Sequence, residues 1–174
     1  MKRLLTILLA CAGLAACETT GGGPSMPPVP PPSNEFRAQD FAWSTVPGQN
    51  RVDGALVMRV GQVRYTCTGS TVILMPETPW THRRVEVLYG SASTATVPVE
   101  VVRARTPPSP PEFGRYVRSS ACVADRFTFT ALADGAWYII TLARPPTGGP
   151  GGQVAVMRRV ETRGGRPTQV VMGS

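Results

Sequence analysis

Short apolar runs broken by glycine and proline limit this chain to a β-rich fold. Glycine and proline each occur 18 times in 174 residues. Together they make about one fifth of the chain, which is a high share for a helical protein. The strand-like runs lie at residues 54–60, 70–75, 97–102, 126–132, 136–142, 153–160 and 168–172. We therefore predict an all-β fold, an antiparallel sandwich of about seven strands.

Several runs carry further detail. Phe127 and Phe129 alternate with threonines, which predicts a strand with one buried and one solvated face. Residues 137–142 are apolar on both faces, as in a central strand, whereas Pro98 cannot donate a ladder hydrogen bond and favours an edge strand. Ala133-Asp134-Gly135 predicts a tight hairpin turn between two strands.

Residues 78–90 break the strand pattern and predict one short inserted helix. Thr78 is an N-cap candidate, Pro79 stands at the first helical position, and Gly90 follows the end. This helix would place Trp80, Arg84, Val87 and Leu88 near one stripe, with Trp80 on the rim of the sandwich.

The amino terminus has the pattern of an export signal. Met1-Lys2-Arg3 is positively charged, and the apolar stretch from Leu4 is shorter than the ~20 residues of a transmembrane helix. Leu14-Ala15-Ala16-Cys17 resembles the lipobox of bacterial lipoproteins, which implies a diacylglyceryl group on Cys17, acyl chains such as palmitate, and cleavage before it. The alternative is an ordinary signal peptide that ends in Ala-Cys.

These features divide the chain into a lipoprotein signal peptide at 1–16, a lipidated Cys17 with a Gly/Pro-rich linker at 17–33, and a sandwich domain at 34–174. Residues 19–33 lack apolar periodicity, so we expect a disordered tether reaching about 45 Å at ~3.1 Å per residue. A docking sequence for an aromatic groove is the alternative. Glu18 stands where an Asp would favour retention in the inner membrane, so we expect the outer membrane, with the domain in the periplasm.

Cys67 and Cys122 are the two cysteines of the predicted domain at 34–174, and export places them where disulfides persist. A bridge between them is the prediction, and two buried thiols are the alternative. Metal ligation lacks the further Cys or His ligands that a tetrahedral site needs.

Charge and motifs give little sign of catalysis or of nucleic-acid binding. The 18 basic residues outnumber 11 acidic ones, and every basic residue after the signal is arginine. This use of arginine indicates either an anionic binding partner or a codon bias of the genome. The arginines are scattered, which disfavours nucleic acid. His82 is the single histidine, so no multi-histidine metal site can form, and we expect it to be solvated. Residues 148–152 are glycine-rich but lack the lysine of a phosphate loop and predict a turn.

One segment suggests a family. Residues 125–139 resemble a hairpin of carboxypeptidase regulatory-like and transthyretin-like domains, in which F-x-F is followed by a Gly turn and an aromatic-led strand. Residues 67–80 are also similar to small bacterial lipoproteins that carry such a domain. The resemblance implies a prealbumin-like sandwich and a non-catalytic accessory role.

The sequence therefore predicts a membrane-anchored envelope lipoprotein that acts as a non-catalytic binding or scaffolding module, without cofactor or metal. The alternatives are an envelope hydrolase using dispersed carboxylates and a purely structural assembly factor. The membrane, through the acyl chains on Cys17, and envelope proteins or anionic envelope polymers are the expected partners, and the oligomeric state stays open. The candidate ligand surface comprises Trp80, Arg83, Arg84, Arg115 and Arg118.

Overall fold

The computed structural model describes residues 35–146 and 152–173. The predicted signal peptide, Cys17, the linker and most of the predicted turn at 148–152 lie outside the described residues. The strands are β1 Asn50–Leu56, β2 Met58–Val60, β3 Val63–Tyr65, β4 Thr71–Pro76, β5 Thr94–Pro98, β6 Arg118–Ala121, β7 Arg126–Leu132, β8 Gly135–Ala143, β9 Val154–Thr162 and β10 Pro167–Met172. The α-helices are α1 Ala42–Thr45, α2 Pro79–Tyr89 and α3 Val99–Arg105, with 3-10 turns at Ala38–Phe41 and Pro111–Tyr116.

Two sheets face each other, which confirms the predicted all-β sandwich. The five-stranded sheet has the order β5-β9-β8-β4-β6 and is antiparallel throughout, and the three-stranded sheet has the order β10-β1-β7. The pairing of β1 with β10 is parallel, unlike the predicted antiparallel pattern. Strands β2 and β3 form a separate two-stranded hairpin.

Strand β8 is the third strand of the five-stranded sheet, and its two faces belong to two different apolar clusters. Trp137 and Ile139 point between the sheets, where they pack with Phe127, Phe129 and other residues of both sheets. The outward face of β8 contributes Tyr138 to a second cluster. The prediction that residues 137–142 form a central strand is therefore confirmed.

Helices α2 and α3 cover this second face, so the domain has three layers. Val85, Leu88 and Tyr89 of α2 and Val99 of α3 pack on Tyr138 and its neighbours. Burial raises the pKa of Tyr89 to about 12. None of the helices within residues 35–146 and 152–173 has the length and apolarity that a bilayer span requires.

The inserted helix begins and ends where the sequence predicts. Thr78 and Thr81 form a capping box, in which the Thr81 amide donates to Thr78 Oγ1 at 3.2 Å and the Thr78 amide donates to Thr81 Oγ1 at 2.7 Å. Gly90 ends the helix at a φ of 72°, in the left-handed region that glycine tolerates best.

The prediction of a strand over residues 97–102 is wrong beyond Pro98. Strand β5 ends at Pro98, and α3 begins at Val99. Val99 and Val102 are three residues apart, so a helix turns both of them toward the second cluster, which a strand would not do. Strand β5 lies at the edge of its sheet, as Pro98 predicts.

The turn at Ala133–Gly135 is not a hairpin within one sheet. Strand β7 pairs with β1, whereas β8 pairs with β4 and β9, so the turn crosses from one sheet to the other. If β7 paired with β8 in one sheet, the exposed threonines of β7 would lie beside Tyr138 beneath the helices and lose their hydration. Of these two strands, β8 is apolar on both faces and β7 on one, and this difference places them in different sheets.

Cys67 and Cys122 form a disulfide, as predicted. It lies beside Asp125, which accepts hydrogen bonds from the Thr66 hydroxyl at 2.5 Å and from the Cys67 amide at 3.0 Å. Burial by itself would raise the pKa of Asp125, but these hydrogen bonds outweigh it and lower the pKa below its usual value. The Asp125 carboxylate and the disulfide therefore both join the loop that contains Cys67 to the loop that contains Cys122.

We expect reduction of the Cys67–Cys122 bond to lower the free energy of unfolding substantially. The cysteines are 55 residues apart, and releasing a loop of that length costs about 4 kcal/mol in the chain-entropy model, or roughly 10 °C in melting temperature. Thermal unfolding of the full chain with and without reductant measures this difference. An unchanged melting curve, together with free thiols at both Cys67 and Cys122 before reductant is added, would contradict the bond.

Candidate ligand-binding surface

The structure divides the predicted ligand surface between two places. Trp80, Arg83 and Arg84 line a groove of about 410 Å³ beside α2. Arg115 and Arg118 line a different groove, of about 320 Å³, beside α1 and β7. The five residues therefore do not form one continuous site.

The Trp80 groove is built on the first turns of α2. The capping box at Thr78 fixes where the helix begins, and this places Trp80 and Arg84 on the side of α2 that does not face the sheet. The walls combine apolar side chains, a proline run and one acidic residue: Glu35, Phe36, Val87, Pro107, Pro108 and Pro110. Trp80 is half-buried, so part of its ring remains open to a ligand.

An aromatic cluster holds the Trp80 ring in place. Its centroid lies 4.8 Å from that of Phe113 and 5.4 Å from that of Phe36, both in edge-on geometry. Phe41 and Tyr116 extend the cluster into the core. The ring therefore has a fixed orientation before any ligand arrives.

The side chains of the two arginines in the groove differ in how strongly their contacts hold them. The Arg84 guanidinium lies 5.3 Å from the centre of the Trp80 ring and donates to the Pro107 carbonyl at 2.9 Å. Burial lowers the pKa of Arg84. The side chain of Arg83 is 60% exposed, and its contact with Glu86 is long, at 3.7 Å. Arg84 is therefore a fixed wall of the groove, whereas Arg83 can reach an anionic group.

Arg118 has a structural role at the second groove. Its guanidinium donates to the backbone carbonyls of Thr130 at 2.7 Å and Ala131 at 3.2 Å, so it joins β6 of one sheet to β7 of the other. Arg158 of β9 makes the same kind of bridge to the Val171 carbonyl of β10 at 2.7 Å. Both side chains connect the five-stranded sheet to the three-stranded sheet.

A polar cluster that the sequence analysis missed lies where α2 meets the five-stranded sheet. Glu77 accepts from Tyr138 Oη at 2.9 Å and from Arg159 Nε at 2.6 Å, and its other contact is His82 Nδ1 at 3.0 Å. Burial alone would raise the pKa of Glu77, but its bonds to His82, Tyr138 and Arg159 lower it, whereas burial and Glu77 raise the pKa of Tyr138.

This cluster fastens the beginning of α2 to the sheet. His82, predicted to be solvated, is 44% exposed and also lies 3.7 Å from Glu86. Glu77 is 61 residues from Tyr138 and 82 from Arg159, so no spacing in the sequence could reveal the cluster.

The Trp80 groove contains one acidic side chain, Glu35, and a groove on the three-stranded sheet contains one, Asp53. Neither groove therefore holds the pair of carboxyl groups that a glycoside hydrolase uses.

We expect Arg118→Gln to lower the free energy of unfolding by about 1–2 kcal/mol, because hydrogen bonds from a charged donor between the two sheets are lost. Arg115→Gln is the matched control, since Arg115 is exposed on the same groove. Urea unfolding measures both variants. Equal stability of the two variants would contradict the structural role of Arg118.

Comparisons with known proteins show the fold and no family. No family model matches the chain, and no curated protein matches it. A crystal structure from Pseudomonas aeruginosa, described as a "putative carbohydrate binding protein", is similar with a TM-score of 0.59 and 18% sequence identity. The match covers 80% of this chain and 98% of that chain. The chain therefore shares its all-β fold with that protein.

Proposed function

We propose that this chain is a non-catalytic binding module of a bacterial cell envelope, and that its Trp80 groove takes an acidic polysaccharide. The observation that carries the proposal is the combination of a fixed aromatic ring with an exposed cation, Arg83, in one groove. The description of the similar crystal structure as a carbohydrate-binding protein supports a saccharide ligand.

The chemistry of the groove suits sugar rings that carry carboxylates. The C–H face of a pyranose is apolar and can pack on the open part of Trp80 and on Val87, which is 46% exposed. Arg83 can pair with a carboxylate of the sugar through a forked hydrogen bond. The volume of about 410 Å³ falls within the usual range of ligand sites.

The placement in the envelope rests on the amino-terminal sequence and on the disulfide. Residues 1–17 have the pattern of a lipoprotein signal, and the Cys67–Cys122 bond suits an exported protein. A lipid on Cys17 would hold the domain at the membrane while the linker at 19–33 lets it search nearby polymer at high effective concentration.

We expect Arg83→Gln to weaken binding of polygalacturonate roughly fivefold, the loss of about one charged contact. Arg103→Gln on α3 is the matched control, because Arg103 is also exposed on a helix but lies outside the groove. Titration calorimetry with polygalacturonate, and with dextran as the uncharged polymer, gives the affinities, and binding should weaken as salt rises. Absence of polygalacturonate binding, or equal affinities for the two variants, would disprove this use of the groove.

We expect Cys17→Ser to abolish incorporation of labelled palmitate and to leave the precursor uncleaved. The thiol of Cys17 is the acyl acceptor in this proposal, and a hydroxyl does not replace it. Metabolic labelling followed by gel electrophoresis measures both effects, with Cys11→Ser as the control. Normal labelling of the Cys17→Ser chain would rule out the anchor.

A further inference from the structure

The outer face of the three-stranded sheet carries a cavity of about 540 Å³. It shares no lining residue with the Trp80 groove. Its polar and apolar side chains come from all three strands, chiefly Arg51, Asp53, Ala55, Arg126, Thr128, Gln169 and Val171. This face is the side of the sandwich that no helix covers within the described residues.

A carboxylate in the middle of this face is held in a fixed orientation. Asp53 on β1 stands opposite Thr128 on β7 and opposite Gln169 on β10. Arg51 Nε donates to both Asp53 oxygens at 2.8 Å, and the Thr128 hydroxyl donates to Oδ1 at 2.8 Å. The hydrogen bond from Arg51 is the main reason that the pKa of Asp53 lies below its usual value. The side chain of Asp53 remains 25% exposed, so it can still accept bonds from a ligand.

The adjacent row of the same face provides a cation and an apolar floor. Ala55 stands opposite Arg126 on β7 and opposite Val171 on β10. The small side chain of Ala55 leaves space between its neighbours, and Val171 is 45% exposed. Arg126 is exposed and has no ion-pair partner within residues 35–146 and 152–173. Diagonal neighbours on a sheet are about 7 Å apart, so Asp53 and Arg126 can contact the two sides of one sugar ring.

We infer that this cavity is a second saccharide site, which binds an uncharged, hydroxyl-rich sugar unit through Asp53 and Arg126. Sugar hydroxyls can donate to the Asp53 carboxylate and accept from the Arg126 guanidinium, while the C–H face packs on Ala55 and Val171. Asp53 favours hydroxyl-rich sugar units, because a hydroxyl can donate a hydrogen bond to this carboxylate and a sugar carboxylate cannot. The inference rests on the proposed function as a polysaccharide-binding module and adds a site of different selectivity.

The test uses the full chain in detergent on an array of immobilised neutral oligosaccharides: cellotetraose, maltotetraose, mannotetraose and tetra-N-acetylchitotetraose. Arg126→Gln removes the cation, and Ala55→Leu fills the floor of the cavity with a residue that strands tolerate. Thr130→Ala is the control, because Thr130 is exposed on the same strand outside the cavity. Circular dichroism confirms that each variant is folded.

We expect at least one neutral oligosaccharide to bind the unaltered chain with little dependence on salt. Arg126→Gln and Ala55→Leu should each weaken that binding at least fivefold, whereas Thr130→Ala and Arg83→Gln should leave it unchanged. No neutral binding, or binding that survives Arg126→Gln and Ala55→Leu, would overturn the inference and leave Asp53 with a role in strand pairing alone.

The two proposals fail in different ways. Polygalacturonate binding that needs Arg83, without neutral binding, would keep the Trp80 groove and remove the sheet-face site. Neutral binding that needs Arg126, without polygalacturonate binding, would do the reverse. Failure of both ligands to bind would remove the saccharide function altogether.

Discussion

The requirement to cover both faces of strand β8 determines the architecture of this domain. Trp137 and Tyr138 are adjacent in the chain, point to opposite faces of the sheet and are both fully buried. The three-stranded sheet covers one face, and α2 with α3 covers the other. The groove at Trp80 follows from this second layer, because the side of α2 that does not pack on the sheet is the side that carries Trp80 and Arg84.

Contacts outside the apolar core also join the two sheets and their loops. Arg118 and Arg158 connect the two sheets through backbone carbonyls, and the disulfide with Asp125 fastens the loops at one end. Arg118, which the sequence offers as a ligand residue, is used in these contacts. Two of the exposed arginines, Arg83 and Arg126, lie in the two cavities proposed as binding sites.

The sequence predicts features that depend on local chemistry. The alternation of phenylalanine with threonine in β7 and the capping residues of α2 act over a few positions, so their strand and helix are found where expected. Pairing between distant strands is not encoded locally. The sequence of the turn at 133–135 is compatible both with strands in one sheet and with strands in two sheets. The cavity at Asp53 was missed for the same reason, since it requires the register of β1 with β7 and β10. The helix at 99–105 had a signal, valines three residues apart after a proline.

A rigid, doubly covered sheet presents a preformed groove on its helical layer. Hydrogen–deuterium exchange of the full chain, with and without polygalacturonate, tests this claim directly, since it reports backbone protection along the whole sequence. We expect β8 to exchange most slowly in both states and the polymer to add protection at residues 79–90 and 105–116. Fast exchange in β8, or added protection confined to other segments, would contradict a rigid sheet with its ligand groove beside α2.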